Sequence, residues 1–169
     1  MYSKPLSKVP TGKFQTFEDL KVYQAAREFR KAMYALTRGL PDCEKFGLAS
    51  QVRRAAVSLT NNIAEGHGRF HYLDQIRFTL QARGSLLELI DDLNICADEN
   101  YLPADAILKF KQQASQVQQL VNGYIRYLRE RKMGESMALH ESSSAHGLSE
   151  EDLDAILAEP AQRFNTSTI

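Results

Sequence analysis

Two polar rows, each spaced to lie on one face of a helix, hold the residues best suited to chemistry. Arg54, Ser58, Asn61, Asn62, Glu65 and Arg69 make the first, and Ser85, Glu88 and Asp92 the second. If the rows face each other, Arg54 can bridge to Glu88 while Ser58 and Asn62 satisfy neighbouring groups and fix the register of two helices. A guanidinium held partly out of water must be paired and hydrogen-bonded, which favours a structural network. A ligand site exposed on the same residues is the alternative.

Other candidate centres are weaker. His67 and His71 are four apart, a metal-binding spacing when both share a helical turn, but Gly66 and Gly68 interrupt that turn and no third ligand follows. Asp91–Asp92 and Asp98–Glu99 read as solvated pairs, with nothing apolar or like-charged placed to raise their pKa for acid–base work. Cys43 and Cys96 are too few and too far apart for a disulfide framework or a zinc site. No serine sits in a nucleophile-elbow pattern. The expectation is a protein without catalytic residues, metal, cofactor or small-molecule substrate.

The charges point instead to a polyanion. Residues 1–133 carry 20 Lys and Arg against 14 Asp and Glu, a net of +6, and residues 134–169 carry one Arg against seven acids, a net of −6. The overall neutrality therefore hides a basic body and an acidic tail. Arg126, Arg129, Arg131 and Lys132 cluster at the end of one helix, and Arg53, Arg69, Arg77 and Arg83 add charge around two others. The dipole of a helix C-terminus also favours cations, so the cluster has a structural explanation as well.

These residues must be positioned by helices. Residues 1–16, with Pro5, Pro10 and Gly12, read as a flexible arm. From Phe17, apolar residues recur every three or four positions: Val22, Ala25, Ala26, Phe29, Ala32, Met33 and Leu36 in a first helix, then Leu48, Val52, Ala55, Ala56, Leu59 and Ile63 in a second stopped by Gly66 and Gly68. A third runs over about 72–98 through Leu73, Ile76, Leu80, Leu87, Ile90 and Leu93. The fourth starts at Pro103 and carries Ile107, Phe110, Ala114, Val117, Val121, Tyr124 and Leu128. Gly84-Ser85 inside the third helix calls for a packing reason, either within the bundle or across a subunit contact. Strand patterns are absent and the connections are short, so the fold class is all-α, an antiparallel up-down-up-down four-helix bundle over 17–133. Residues 134–147 read as a linker and 148–169 as an acidic tail with a short amphipathic helix at 149–159, whose Leu153, Ile156 and Leu157 need a surface to dock on. No apolar stretch is long enough for a signal peptide or a membrane span, so the expected location is the cytoplasm.

Three segments resemble a known family. They are Phe17-Glu-Asp-Leu-Lys-Val-Tyr23, Gly47-Leu-Ala-Ser-Gln-Val-Arg-Arg-Ala-Ala-Val-Ser-Leu-Thr-Asn-Asn-Ile-Ala-Glu-Gly66 with Gly68-Arg69, and Ala82-Arg-Gly-Ser-Leu-Leu-Glu88. Together they are similar to the small four-helix-bundle proteins encoded in intervening sequences of bacterial large-subunit rRNA genes, a group that looks related to the accessory variability determinant of diversity-generating retroelements. The resemblance implies a ring-like homopentamer with no known enzymatic activity, and for the retroelement branch an accessory that binds nucleic acid and a reverse transcriptase. Arg54, Ser58, Asn62, Glu65, Gly66, Arg69, Gly84, Ser85 and Glu88 would be family-typical positions.

The resulting expectation is a non-enzymatic oligomeric scaffold that engages structured RNA, or a reverse transcriptase–RNA complex, through basic surfaces, with the acidic tail modulating that contact. Two alternatives stay open: an adaptor that docks through its C-terminal helix, and the product of a selfish element without a cellular task.

Overall fold

A computed structural model describes the backbone of residues 16–139 and the side chains of residues 16–132. The expected arm and the tail helix with Leu153, Ile156 and Leu157 lie outside the described residues. The chain divides after Glu135 into two units, Met1–Glu135 and Ser136–Ile169, and the account below concerns the first.

Four helices follow one another: α1 (Lys21–Thr37), α2 (Leu48–His67), α3 (Tyr72–Asp98) and α4 (Ala104–Leu139), with short 3-10 turns at Phe17–Asp19 and Asp42–Glu44. The described residues contain no strand. Neighbours pair in opposite order. Arg30 meets Thr60 and Thr37 meets Arg53 between α1 and α2, while Ser58 meets Ser85 and Gly66 meets Gln75 and Phe78 between α2 and α3. One contiguous core links all four helices, its largest fully buried side chains including Phe29, Met33, Leu59, Ile63, Leu86, Leu89, Leu93 and Leu128. No described helix is long and apolar enough to cross a membrane.

The apolar stripes of α1, α2 and α4 lie where periodicity put them, with Ile125 added to the last. In α3 the phase differs. Leu86, Leu89 and Cys96 enter the core beside Ile76 and Leu93, whereas Leu87 is 49% exposed and Leu73, Leu80 and Ile90 are only half-buried. The run Leu86-Leu87-Glu88-Leu89-Ile90 offers apolar residues to two faces, so spacing alone does not select between them.

Helix ends also depart from expectation. Gly66 does not stop α2 but lies buried within it, where a Cβ would stand 3.0 Å from Phe78 Cβ and 3.2 Å from the Gln75 carbonyl oxygen. It is a point of close helix approach; Gly68 caps the helix. α3 ends in a Schellman arrangement around Asn100, at φ 57°, with the Tyr101 N–H donating to the Cys96 carbonyl at 2.9 Å. α4 continues through Gly134 to Leu139, into the segment read as linker. One glycine does not halt a helix whose following residues, including Glu135, Met137, Ala138 and Leu139, are good helix formers. At the α1–α2 connection the Glu44 carboxylate accepts the Leu48 N–H (2.9 Å), capping α2, and the Tyr101 hydroxyl (2.9 Å), tying this loop to the α3–α4 loop.

Gly66→Ala should push α3 away from α2 and destabilise the fold by about 1–3 kcal/mol, read as a lower midpoint in urea. Gly68→Ala, whose Cβ would meet its nearest atom at an ordinary 3.5 Å, should move the midpoint far less. Equal effects would refute the close-approach role of Gly66.

Candidate functional site

The two polar rows meet across the α2–α3 seam at one point, Ser58 against Ser85. Asn62 Nδ2 donates to the Ser58 carbonyl (2.9 Å) and to Ser58 Oγ (3.1 Å), Ser58 Oγ lies 2.8 Å from Ser85 Oγ, and the Ser85 hydroxyl donates to the Gln81 carbonyl (3.2 Å). With the Ser85 proton directed at a carbonyl, Ser58 is the donor between the two hydroxyls. The relay runs Asn62, Ser58, Ser85, Gln81 and ends on backbone. Among the described residues neither hydroxyl is bonded to a carboxylate or imidazole, and the Ser58–Ser85 bond ties the two helices together.

Arg54 does not bridge to Glu88. It lies exposed, and no ion pair engages it among the described residues. The charge withdrawn from water is Asp92, 7% exposed, with Oδ2 buried and lacking a hydrogen-bond partner. Burial, reinforced by Asp91 and Glu88 and weakly opposed by Arg54, pushes its pKa up to about 6. Asp92 is therefore not half of a solvated pair: the spacing Ser85–Leu89–Asp92–Cys96 carries it onto the buried face of α3 while Asp91 stays outside. One turn on, burial first and Asp92 second push the Cys96 thiol up to about 11, which leaves it a protonated packing group.

The nominated cations do not form one surface. Arg53 donates through Nε to Thr37 Oγ1 (3.0 Å) at the C-terminal end of α1, beside a cleft of about 260 Å³ that Arg38 and Lys45 also line. Arg69 pairs with Glu65 and lies over the Phe78 ring at 4.6 Å; Arg77 pairs with Asp74 at 3.6 Å; Arg83 is half-buried along α3. Arg126, Arg129, Arg131 and Lys132 stand at the other end from Arg53, where α4 passes the start of α1. No ion pair engages them among the described residues. Arg129 Nε is buried without a partner, and the Arg131 guanidinium sits 5.3 Å over the Tyr127 ring. His67 and His71 gain no third ligand, and no group of three potential metal ligands occurs among the described residues. Three interactions were not visible in the sequence patterns. Arg30 Nη1 donates to Thr60 Oγ1 (2.8 Å), Lys111 Nζ to Asn94 Oδ1 (2.6 Å), and Glu44 caps α2; each joins residues remote in sequence or hidden in a loop.

Comparison with known proteins places this geometry. A model described as "23S rRNA-intervening sequence protein" matches residues 18–123. A solved structure with the same fold is a protein of unknown function of the S23 ribosomal protein family from Bacteroides thetaiotaomicron, with a TM-score of 0.58 and 19% identity, covering 62% of this chain and 97% of that one. A comparison with curated proteins gives no match.

An unfolded aspartate loses its proton near pH 3.8, whereas folded Asp92 keeps it to about pH 6, so between these values the folded chain holds the extra proton. The stability this contributes is full below the lower value and is lost as pH rises through the upper one. Asp92→Asn should thus stabilise the protein by about 1–3 kcal/mol above about pH 7 and by almost nothing below about pH 4, in paired urea titrations. A gain independent of pH would sink this account of Asp92.

Proposed function

The chain belongs to the 23S rRNA-intervening sequence protein family, and from that premise we propose that it is a non-enzymatic oligomeric scaffold that engages structured RNA, alone or with a reverse transcriptase, through a basic surface. The observation that carries the reading is the set Arg126, Arg129, Arg131 and Lys132. These four cations lie on little more than one and a half turns of helix with no carboxylate paired to them among the described residues. They belong to a body of net charge +6 within a neutral chain. The acidic tail, net −6, competes for the same cations and so tunes the contact. The serine relay ends on backbone and Cys96 stays protonated, which is why the reading is a binding protein.

Assembly is supported by α3. Gly84 lies exposed in mid-helix with open space where a Cβ would stand, so nothing among the described residues asks for a glycine that costs a helix about 1 kcal/mol relative to alanine. Leu87 and Ile95, 49% and 39% exposed, continue its face at helical spacing. A second copy laid across Gly84 would bury this row, and the family resemblance suggests five subunits in a ring.

Structured RNA should bind with a salt-sensitive affinity, and reversing Arg126, Arg129 and Arg131 to Glu should weaken it at least ~10-fold at low salt and flatten the salt dependence. A chain ending at Leu139 should bind more tightly than the full chain. Unchanged binding by the reversed protein would refute this surface, and no binding by either length would favour an adaptor role instead.

Light scattering should give a multiple of the monomer mass, and Leu87→Arg with Ile95→Arg should reduce it to the monomer. A wild-type monomer at micromolar concentration would refute the assembly.

A further inference from the structure

We propose that the face of α4 from Leu120 to Arg131 is a track for unpaired nucleobases, so that the RNA is held at its single-stranded segments rather than along a duplex. This deepens, and rests on, the RNA-binding reading above.

The track is made of planar groups at helical spacing. The Tyr124 and Tyr127 rings are 6.2 Å apart and 15° from parallel, and the Arg131 guanidinium lies 5.3 Å over Tyr127. Positions 124, 127 and 131 fall on one side of the helix, with Leu120 preceding them. Tyr127 is 46% exposed and lies outside the core, as does Leu120. Tyr124 packs its inner side against the core, whereas Tyr127 and the Arg131 guanidinium over it are left at the surface. A nucleobase has an apolar, polarisable face that stacks on tyrosine or on a guanidinium plane, and an unpaired base has that face to offer.

Beside the stack, α1 and α4 leave a groove of about 240 Å³, lined by Leu20, Lys21, Gln119, Leu120 and Tyr124 and floored by Gly123. Nothing stands within 4 Å of the place a Cβ would take at Gly123, so the floor is bare helix backbone. As with Gly84, no packing among the described residues calls for this glycine. A planar ring entering the groove would lie against Leu20 and Leu120, with the Gln119 amide able to donate to and accept from its edge and the Lys21 ammonium near its phosphate. Arg126 and Lys132 flank the track for the rest of the backbone. From Leu120 to Arg131 the track runs about 16 Å along the helix, the scale of a few nucleotides.

Charge selects this occupant over a second copy of the chain. Residues 126–132 carry four cations and one acid, Glu130. Two such faces repel each other, whereas a phosphodiester backbone is attracted. A duplex would meet the same cations but keeps its base faces stacked inside, leaving Tyr127 and the groove without a partner.

The test uses the full-length protein and fluorescence anisotropy, with a non-self-complementary single-stranded RNA of roughly 12 nucleotides, a length within the range of such grooves, and a blunt duplex of the same length. Wild type should bind the single strand at least ~10-fold more tightly. Tyr127→Leu should weaken single-strand binding about 10-fold or more while leaving duplex binding and the salt dependence unchanged, and Tyr127→Phe should retain wild-type affinity. Arg126→Glu should weaken both ligands. Tyr127 is half in water, so the variant should keep the wild-type helix signal. If single strand and duplex bind alike and Tyr127→Leu alters neither, the track is refuted while the RNA reading stands. If no RNA binds, both fall. If Tyr127→Leu changes the mass by light scattering and not the RNA affinity, the face is a subunit contact and the proposal is overturned.

Discussion

Gly66 of α2 meets Gln75 and Phe78 of α3 with no room for a side chain between them, and the pairing of these two helices depends on that contact. Without a side chain at Gly66 the two helices converge at one end, and the convergence brings Ser58 within hydrogen-bond range of Ser85 further along. The register so fixed keeps Leu59, Ile63, Leu86 and Leu89 in one core with residues of α1 and α4. A shift of one residue would put the hydroxyls against apolar neighbours and leave them unsatisfied, so the polar seam enforces what the apolar core alone would leave loose.

Around this frame three helix ends are closed locally: Thr16 forms a capping box with Asp19 in the 3-10 turn before α1, Glu44 caps α2 and Asn100 closes α3. Among the described residues Asp92 Oδ2 and Arg129 Nε are buried side-chain atoms without hydrogen-bond partners. Exposed apolar residues with vacant glycines recur twice, on α3 beside Gly84 and on α4 beside Gly123.

Much of this was legible in the sequence, because a 3.6-residue period reports burial directly where only one face is apolar, as in α1, α2 and α4. α3 was misphased since Leu86 and Leu87 are chemically equal and the choice between them is made by α2. Asp92 looked solvated because the residue beside it is acidic; its burial follows from the same rotation of α3 that exposes Leu87. Gly66 looked like a stop signal, since a glycine near a helix end is read first as a terminator and only coordinates reveal a neighbour 3 Å away. Of the nominated cations, spacing grouped those on α4 and set Arg53 apart on another helix, and the antiparallel turn carries Arg53 to the opposite end. The stack of Tyr124, Tyr127 and Arg131 was present as spacing, but Tyr124 was noticed only for its packing against the core, which the structure bears out, and Tyr127 went unremarked.

Glu44 serves two loops with one carboxylate, and this has a thermodynamic meaning. The first turn of α2 and the α3–α4 loop both lean on it, through the Leu48 N–H and the Tyr101 hydroxyl. Loosening either frees an oxygen whose partner restrains the other, so the two fray as a single cooperative unit. The far end of the molecule, where α4 runs past the start of α1, has no such shared acceptor among the described residues. Amide protons should therefore exchange in concert at one end of the bundle and independently at the other, giving the molecule a stiff pole and a compliant one.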